Sequence, residues 1–180
     1  MTKMRRVRYQ VAMSLDGYIA GPNGEYDWIV MDKDIDFNAL FAQFDTFLLG
    51  RKTFEAMGGA PSRSKGTRTF VFSTTLKPDK RVTIVADRVA ETVNALRAEE
   101  GKDIWLFGGG SLFRSLLEAG VVDTVEVAVM PLLLGGGIPL LPSPAGSAML
   151  TLTGHKVYQK TGIVMLEYAV VRSVRLQADR

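Results

Sequence analysis

An α/β domain, a mixed β-sheet with helices on its faces, is the fold class the sequence predicts. Three observations carry the prediction. Apolar, β-branched runs alternate with segments of helical periodicity as far as Leu117, and three further β segments then finish the chain. At 180 residues the chain can bury a full core as one domain, and no repeat, linker or low-complexity stretch divides it. Its composition, 47% hydrophobic and 23% charged, is that of a soluble globular protein.

The same composition excludes several kinds of chemistry. Without cysteine there is no disulfide framework, thiol nucleophile or thiolate metal site, which fits a reducing cytoplasm. A single histidine, His155, rules out a histidine metal cluster, leaves little scope for a triad, and reads as a structural strand residue. The net charge is +3, and basic residues are dispersed except at 3–6 and 63–68, so no nucleic-acid face is expected. No apolar run approaches the length of a membrane span, and no signal-peptide core follows the basic amino terminus. The expected location is cytoplasmic.

The elements follow in order. Residues 7–13 alternate as a first strand, and the glycines, proline and asparagine of 14–24 mark a long loop at its end. In that loop Asp16 is either a functional carboxylate or a turn residue ahead of Gly17. Phe37, Leu40, Phe41 and Phe44 recur at helical spacing, predicting a helix over 36–44. Asp32, Asp34 and Asp36 precede or open it, as caps or as a carboxylate facing a pocket. An apolar strand at 46–50 runs through Gly50 into a helix at 51–57 whose first turn holds Arg51, Lys52 and Thr53. Cations there oppose the helix dipole, which suits a bound anion.

A flexible loop at 58–67 leads to a strand at 69–73. Ser73, Thr74 and nearby Lys77 at its end suit a phosphate monoester or a simple turn before Pro78. A strand at 81–85 and a helix from Val89 to about residue 100 come next. The run 104–108 is a buried strand that ends in Gly108-Gly109-Gly110, with Ser111 as the expected N-cap. Leu112, Phe113, Leu116 and Leu117 then form the stripe of a helix closed at Gly120. Strand, glycine turn and helix start together make an anion site or a tight connection. The dinucleotide fingerprint fails, because Phe113 stands where its third glycine belongs. A long strand at 121–130 carries Glu126 among apolar neighbours, aimed at a pocket or at an exposed face. A second triplet, 135–137, opens no helix, and strands at 148–158 and 162–171 close the chain as a hairpin.

Five ordered motifs carry a family resemblance: Ser14-Leu-Asp-Gly-Tyr-Ile-Ala20, Leu49-Gly-Arg-Lys-Thr-Phe-Glu55, Val71-Phe-Ser-Thr74, Phe107-Gly-Gly-Gly-Ser-Leu-Phe113 and Met130-Pro-Leu-Leu-Leu-Gly-Gly-Gly137. Across 7–172 the chain resembles the dihydrofolate reductase superfamily, specifically the riboflavin-biosynthesis reductase (RibD carboxy-terminal domain) branch. The resemblance implies a mostly parallel sheet of about eight strands, a homodimer, and NADPH across the strands' carboxyl ends. Gly50, Arg51, Lys52 and Thr53 would hold its pyrophosphate and adenosine side, and Ser73 and Thr74 the adenosine ribose and 2′-phosphate. Phe107, Gly108, Gly109, Gly110, Ser111 and Leu112 would cradle the pyrophosphate, while Ala12, Ile19 and Ala20 border the nicotinamide.

Asp16 becomes the leading catalytic and substrate-side carboxylate, with Trp28, Glu126 and Pro131 as further candidate substrate contacts. No metal is implied. The activity implied is hydride transfer to a C=N or C=O carbon of a small heterocycle, of the 5-amino-6-(5-phosphoribosylamino)uracil reductase type. Arg63, Lys65 and Arg68 are candidates by position for the substrate phosphate. Dihydropterin reduction, an NADPH-binding module without turnover and a flavin-binding oxidoreductase are the alternatives.

Overall fold

The computed structural model of the protein describes residues 4–59 and 66–171. In chain order the elements are β1 (Val7–Ser14), β2 (Tyr18–Ala20), α1 (Phe37–Phe41), β3 (Phe44–Gly50), α2 (Arg51–Ala56), β4 (Arg68–Phe72) and β5 (Thr83–Val85). There follow α3 (Val89–Ala98), β6 (Asp103–Gly108), α4 (Gly110–Glu118), β7 (Thr124–Met130), β8 (Ile138–Pro139), β9 (Leu150–Tyr158) and β10 (Ile163–Val170). Eight strands form one sheet in the order β5-β4-β3-β6-β1-β7-β10-β9, and β2 pairs with β8 in a small second sheet. From β5 to β7 all neighbours run parallel, and β10 is antiparallel to both β7 and β9. The architecture is the α/β one expected.

The two faces of the sheet are treated differently. Alternation along β1 sends Val7 and Tyr9 to one face and Arg8, Gln10 and Ala12 to the other. The first face is closed: Val93 and Leu96 of α3 and Leu112, Phe113 and Leu116 of α4 share one buried cluster with it. On the second face, Leu40 and Phe41 of α1 and Phe54 of α2 pack on Phe47, Leu49 and Trp105. This cover reaches only the β4, β3 and β6 part of the sheet. Ala12, Gln10, Glu126, Ala128 and Met165 of the remaining strands line an open cleft instead.

Three local expectations are corrected. Residue 44 does not extend α1. It opens β3, where its ring meets Trp105 at 4.8 Å and lies under the Arg8 guanidinium at 4.7 Å. Its helical spacing is coincidental with burial from the sheet. Ser111 is not an N-cap, because α4 begins one residue earlier with Gly109 in the capping position. The loop after β1 contains β2, held to β8 by the second glycine triplet. Gly137 has φ 146°, and a Cβ there would lie 2.2 Å from the Ala20 carbonyl oxygen.

The basic residues near the amino terminus are structural. Arg5 is buried and bonded to Asp45, to Thr46 Oγ1 at 2.8 Å and to the Lys102 carbonyl, while Arg6 pairs with Asp103 at 2.6 Å. Arg8 donates from Nε and Nη2 to the two oxygens of Glu126, each at 2.7 Å, and both residues are buried. Removing one partner of such a pair leaves an uncompensated buried charge, which costs roughly 3–5 kcal/mol. Glu126→Leu is therefore expected to destabilise the protein by about that amount, and Arg8→Met with Glu126→Leu to recover most of it. Urea unfolding of the single and double variants checks this, and a double variant less stable than Glu126→Leu would contradict it.

Candidate active site

The cleft opens where the parallel strands end. Its volume is 2420 Å³, more than twice the ~1,000 Å³ upper range of ordinary small-molecule pockets. That is room for two ligands side by side. One half is built from two strand-to-helix turns. β3 enters α2 through Gly50 and β6 enters α4 through Gly109, and neither helix has a side-chain cap. The first-turn N–H groups of each helix lack intrahelical acceptors and carry the positive end of its dipole.

The two turns touch. A Cβ on Gly50 would lie 3.5 Å from the Gly109 nitrogen, and one on Gly109 would lie 3.3 Å from Thr53 Oγ1. Gly110 is enclosed from the other side, since a Cβ there would lie 2.8 Å from both the Pro139 carbonyl oxygen and the Pro142 ring. Gly108 has φ 138°, and the Gly108–Gly109 peptide is cis. The result is a backbone surface without side chains, suited to the close approach of a phosphate. Thr74 and Ser73 lie further along this half. The Ser73 hydroxyl accepts from the N–H groups of Thr75 (3.1 Å) and Leu76 (2.9 Å), which fixes the turn.

Many of the residues expected from the sequence line this one cleft. They are Ala12, Ile19 and Ala20 beside β1, Gly50 to Thr53, Ser73 and Thr74, and Phe107 to Leu112. Arg51 is no lone cation at the start of α2, because its guanidinium pairs with Glu55 at 2.9 Å. Lys77 is exposed and outside the lining. Arg68 is also outside it, paired with Glu99 at 2.5 Å. Arg63 and Lys65 lie outside the described residues.

The substrate-side expectations fare less evenly. Trp28 is outside the lining, with its indole N–H donating to the Glu25 carbonyl at 3.0 Å. Pro131 is exposed and also outside, against the hairpin turn at Gly162. Glu126 does line the floor, but Arg8 and the Thr124 hydroxyl, at 2.8 Å, already engage its carboxylate. Of the three aspartates before α1, Asp36 caps the helix by accepting from the Ala39 N–H. Asp34 pairs with Lys160 at 3.1 Å. Asp32 is buried, accepting from the Thr161 hydroxyl at 2.6 Å and the Asp34 N–H at 2.8 Å, and these bonds hold its carboxyl below the usual range.

Reasoning from sequence missed Gln10, Met165 and Glu167 on the floor and Tyr26 and Met31 at the rim. The period of two along β1, carried from Ala12 back to Gln10 and Arg8, is the signal that finds the first of these. For the rim no local signal exists.

The model of the RibD C-terminal domain matches residues 5–164. The chain is 34% identical over 180 residues to the uncharacterized protein YyaP of Bacillus subtilis (strain 168), covering 92% of this chain and 95% of that one. In fold it is similar to a Shewanella sp. PV-4 protein assigned provisionally to riboflavin biosynthesis, with TM-score 0.78, 24% identity, and 93% and 99% coverage. It is also similar to dihydrofolate reductase of Enterococcus faecalis complexed with NADP(H), with TM-score 0.70, 19% identity, and 93% and 97% coverage.

Asp16 needs the largest correction. It is outside the cleft's lining, and its carboxylate accepts from the Ser14 hydroxyl at 2.6 Å and the N–H groups of Leu134 (3.0 Å) and Gly135 (2.7 Å). The Ser14 hydroxyl and these amides hold its pKa down to about 2. These bonds latch the loop after β1 to the loop after β7. Asp16→Asn keeps one acceptor oxygen of two, so amide protection at Leu134 and Gly135 is expected to fall about tenfold. Hydrogen exchange, with β6 amides as the internal reference, measures this. Because the folded value lies below the ordinary 3.8, the wild-type latch is complete above that pH and is lost as pH falls toward 2. Unchanged protection in Asp16→Asn rules the latch out.

Proposed function

The chain belongs to the RibD C-terminal domain family, and we propose that it is an NADPH-dependent reductase transferring a hydride to a C=N or C=O carbon of a small heterocycle. The reaction is of the 5-amino-6-(5-phosphoribosylamino)uracil reductase type. The single observation that carries this reading is the pair of uncapped glycine turns meeting in a cleft with space for two ligands. The side-chain-free surface at Gly50, Gly108 and Gly109 fits a dinucleotide's pyrophosphate, as does the bare first turn of α4.

Bound NADPH supplies the hydride from its nicotinamide ring. The chain supplies binding and orientation. Backbone N–H groups of Gly110, Ser111 and Leu112 receive the pyrophosphate, and Thr53 fixes the neighbouring turn. Thr74, with Ser73 shaping the bend, receives the adenosine ribose and its 2′-phosphate. Ala12, Ile19 and Ala20 form a small apolar border that would hold the nicotinamide ring beside β1. The floor of β1, β7 and β10 then carries the substrate. Asp16 holds the wall containing Ile19 and Ala20, and water entering the open half would supply the proton to the product. A homodimer belongs to the same proposal, and the edge strand β9, with Leu150, Leu152 and Val157 exposed, offers a surface for it.

A dihydropterin-type substrate is the second reading, favoured by one observation. Arg68, a candidate for the phosphate of a phosphoribosyl substrate, is engaged with Glu99 away from the cleft. Both readings are tested by titrating NADPH while following tryptophan fluorescence, since Trp105 lines the cleft. An affinity between ~1 µM and 1 mM is expected. NADPH oxidation is then followed with an aminouracil phosphoribosyl substrate and a dihydropterin, and turnover of at least one is expected. Binding without oxidation of either would leave an NADPH-binding module, and a yellow protein on purification would point to a flavin.

A further inference from the structure

Two buried polar atoms among the described residues have no hydrogen-bond partner: the Tyr9 hydroxyl and the Gln10 side-chain oxygen. They belong to neighbours on β1 and so face opposite sides of the sheet. Tyr9 points into the closed core, stacked on Phe113 with ring centroids 3.9 Å apart. No ligand reaches it there. Gln10 faces the cleft.

The groups around Gln10 are committed elsewhere. Register places it opposite Glu126 on β7. That carboxylate is held by Arg8 Nε and Nη2 and by Thr124, and as an acceptor it has nothing to donate to an amide oxygen. The Arg8 Nη1 donates to Gln43 at 2.7 Å. The indole N–H of Trp105 is used by the Gln10 backbone carbonyl at 3.0 Å, not by its side chain. The carboxamide oxygen of Gln10 is thus left over and buried beneath the cleft, two residues from Ala12, with the Trp105 and Phe107 rings on the adjacent strand. The Gln10 oxygen is buried and unanswered while Arg8, Glu126 and the Trp105 indole beside it are engaged, so a side-chain rotation that turns the carboxamide into the cleft would let it meet a ligand.

We propose that Gln10 is the specificity-determining residue of the substrate half, pairing with the lactam edge of a planar heterocycle. A carboxamide presents a donor and an acceptor side by side, and the edge complementary to it is an adjacent C=O and N–H. The aromatic rings beside it accept a flat molecule. The proposal deepens the reductase reading and rests on it only for which half of the cleft the cofactor takes.

The test is calorimetric binding of a dihydropterin and a diaminouracil, each compared with its counterpart methylated on the lactam nitrogen. Titrations are run without cofactor, and NADPH binding is measured separately. Wild type is expected to prefer the unmethylated forms by about tenfold or more, and Gln10→Met to lose roughly 10- to 100-fold on them while binding the methylated forms nearly as before. Gln10→Leu likewise presents neither donor nor acceptor, so it shows the same loss and serves if Gln10→Met fails to fold. Equal lactam binding by the variants and wild type overturns the proposal, as does wild type binding neither heterocycle. If heterocycle binding depends on Gln10 but NADPH does not bind, the reductase reading fails and the lactam assignment stands.

Discussion

The structure depends on one close approach of main chain to main chain. β3 and β6 are adjacent and parallel, so their ends lie at the same level and their turns into α2 and α4 must pass each other. Neighbouring strands lie about 4.8 Å apart, which leaves little space for side chains between the two turns. Glycine at 50 and at 109 meets that condition, and Thr53 fills what remains. With the turns in place, α4 descends across the closed face with Leu112, Phe113 and Leu116 inward. The same geometry that seats the core helix leaves its amino end bare toward the cleft.

The sheet is consequently asymmetric. Its closed face is mainly apolar, while its open face changes character from the aromatic cluster around Trp105 to the polar row of Arg8, Gln10, Glu126 and Glu167. The Arg8–Glu126 pair sits at that boundary, and the Arg8 guanidinium also covers Phe44. A buried ion pair adds little net stability against an apolar replacement. Its effect here is to fix two strands in register beneath the cleft.

Much of this was legible in the sequence because it is written locally. Strand and helix periodicities gave the alternation, and glycine followed directly by a helical stripe marked both turns. The errors came where local pattern and tertiary use diverge. Phe44 keeps a helical interval with Phe37 and Phe41, yet the ring of Trp105 takes it into β3. Asp16 stands in a motif that attracts attention, but the amides that define its role lie 118 and 119 positions away. Among the three aspartates the expected alternatives both occur, since Asp36 caps α1 and Asp34 and Asp36 line the cleft, and only the hairpin at Lys160 and Thr161 decides which of Asp32 and Asp34 does what. Trp28 and Pro131 carry no local sign that they face away from the cleft.

The Asp16 latch has a kinetic consequence. The wall holding Ile19 and Ala20 is stitched to the β7–β8 connection by the latch and by the Leu15 N–H donating to the Leu132 carbonyl, and to the residue after β8 by the Leu140 N–H donating to the Gly17 carbonyl. Across the cleft, the stretch 22–36 is tied to the β9–β10 hairpin through Asp32 and Asp34. Its Tyr26, Val30 and Met31 remain exposed at the mouth. The two banks are thus held differently, one by backbone bonds together with the latch, the other to the hairpin through two side chains. Local opening follows the weaker set of contacts, so with the latch intact the bank of Ile19 and Ala20 would be the last to open.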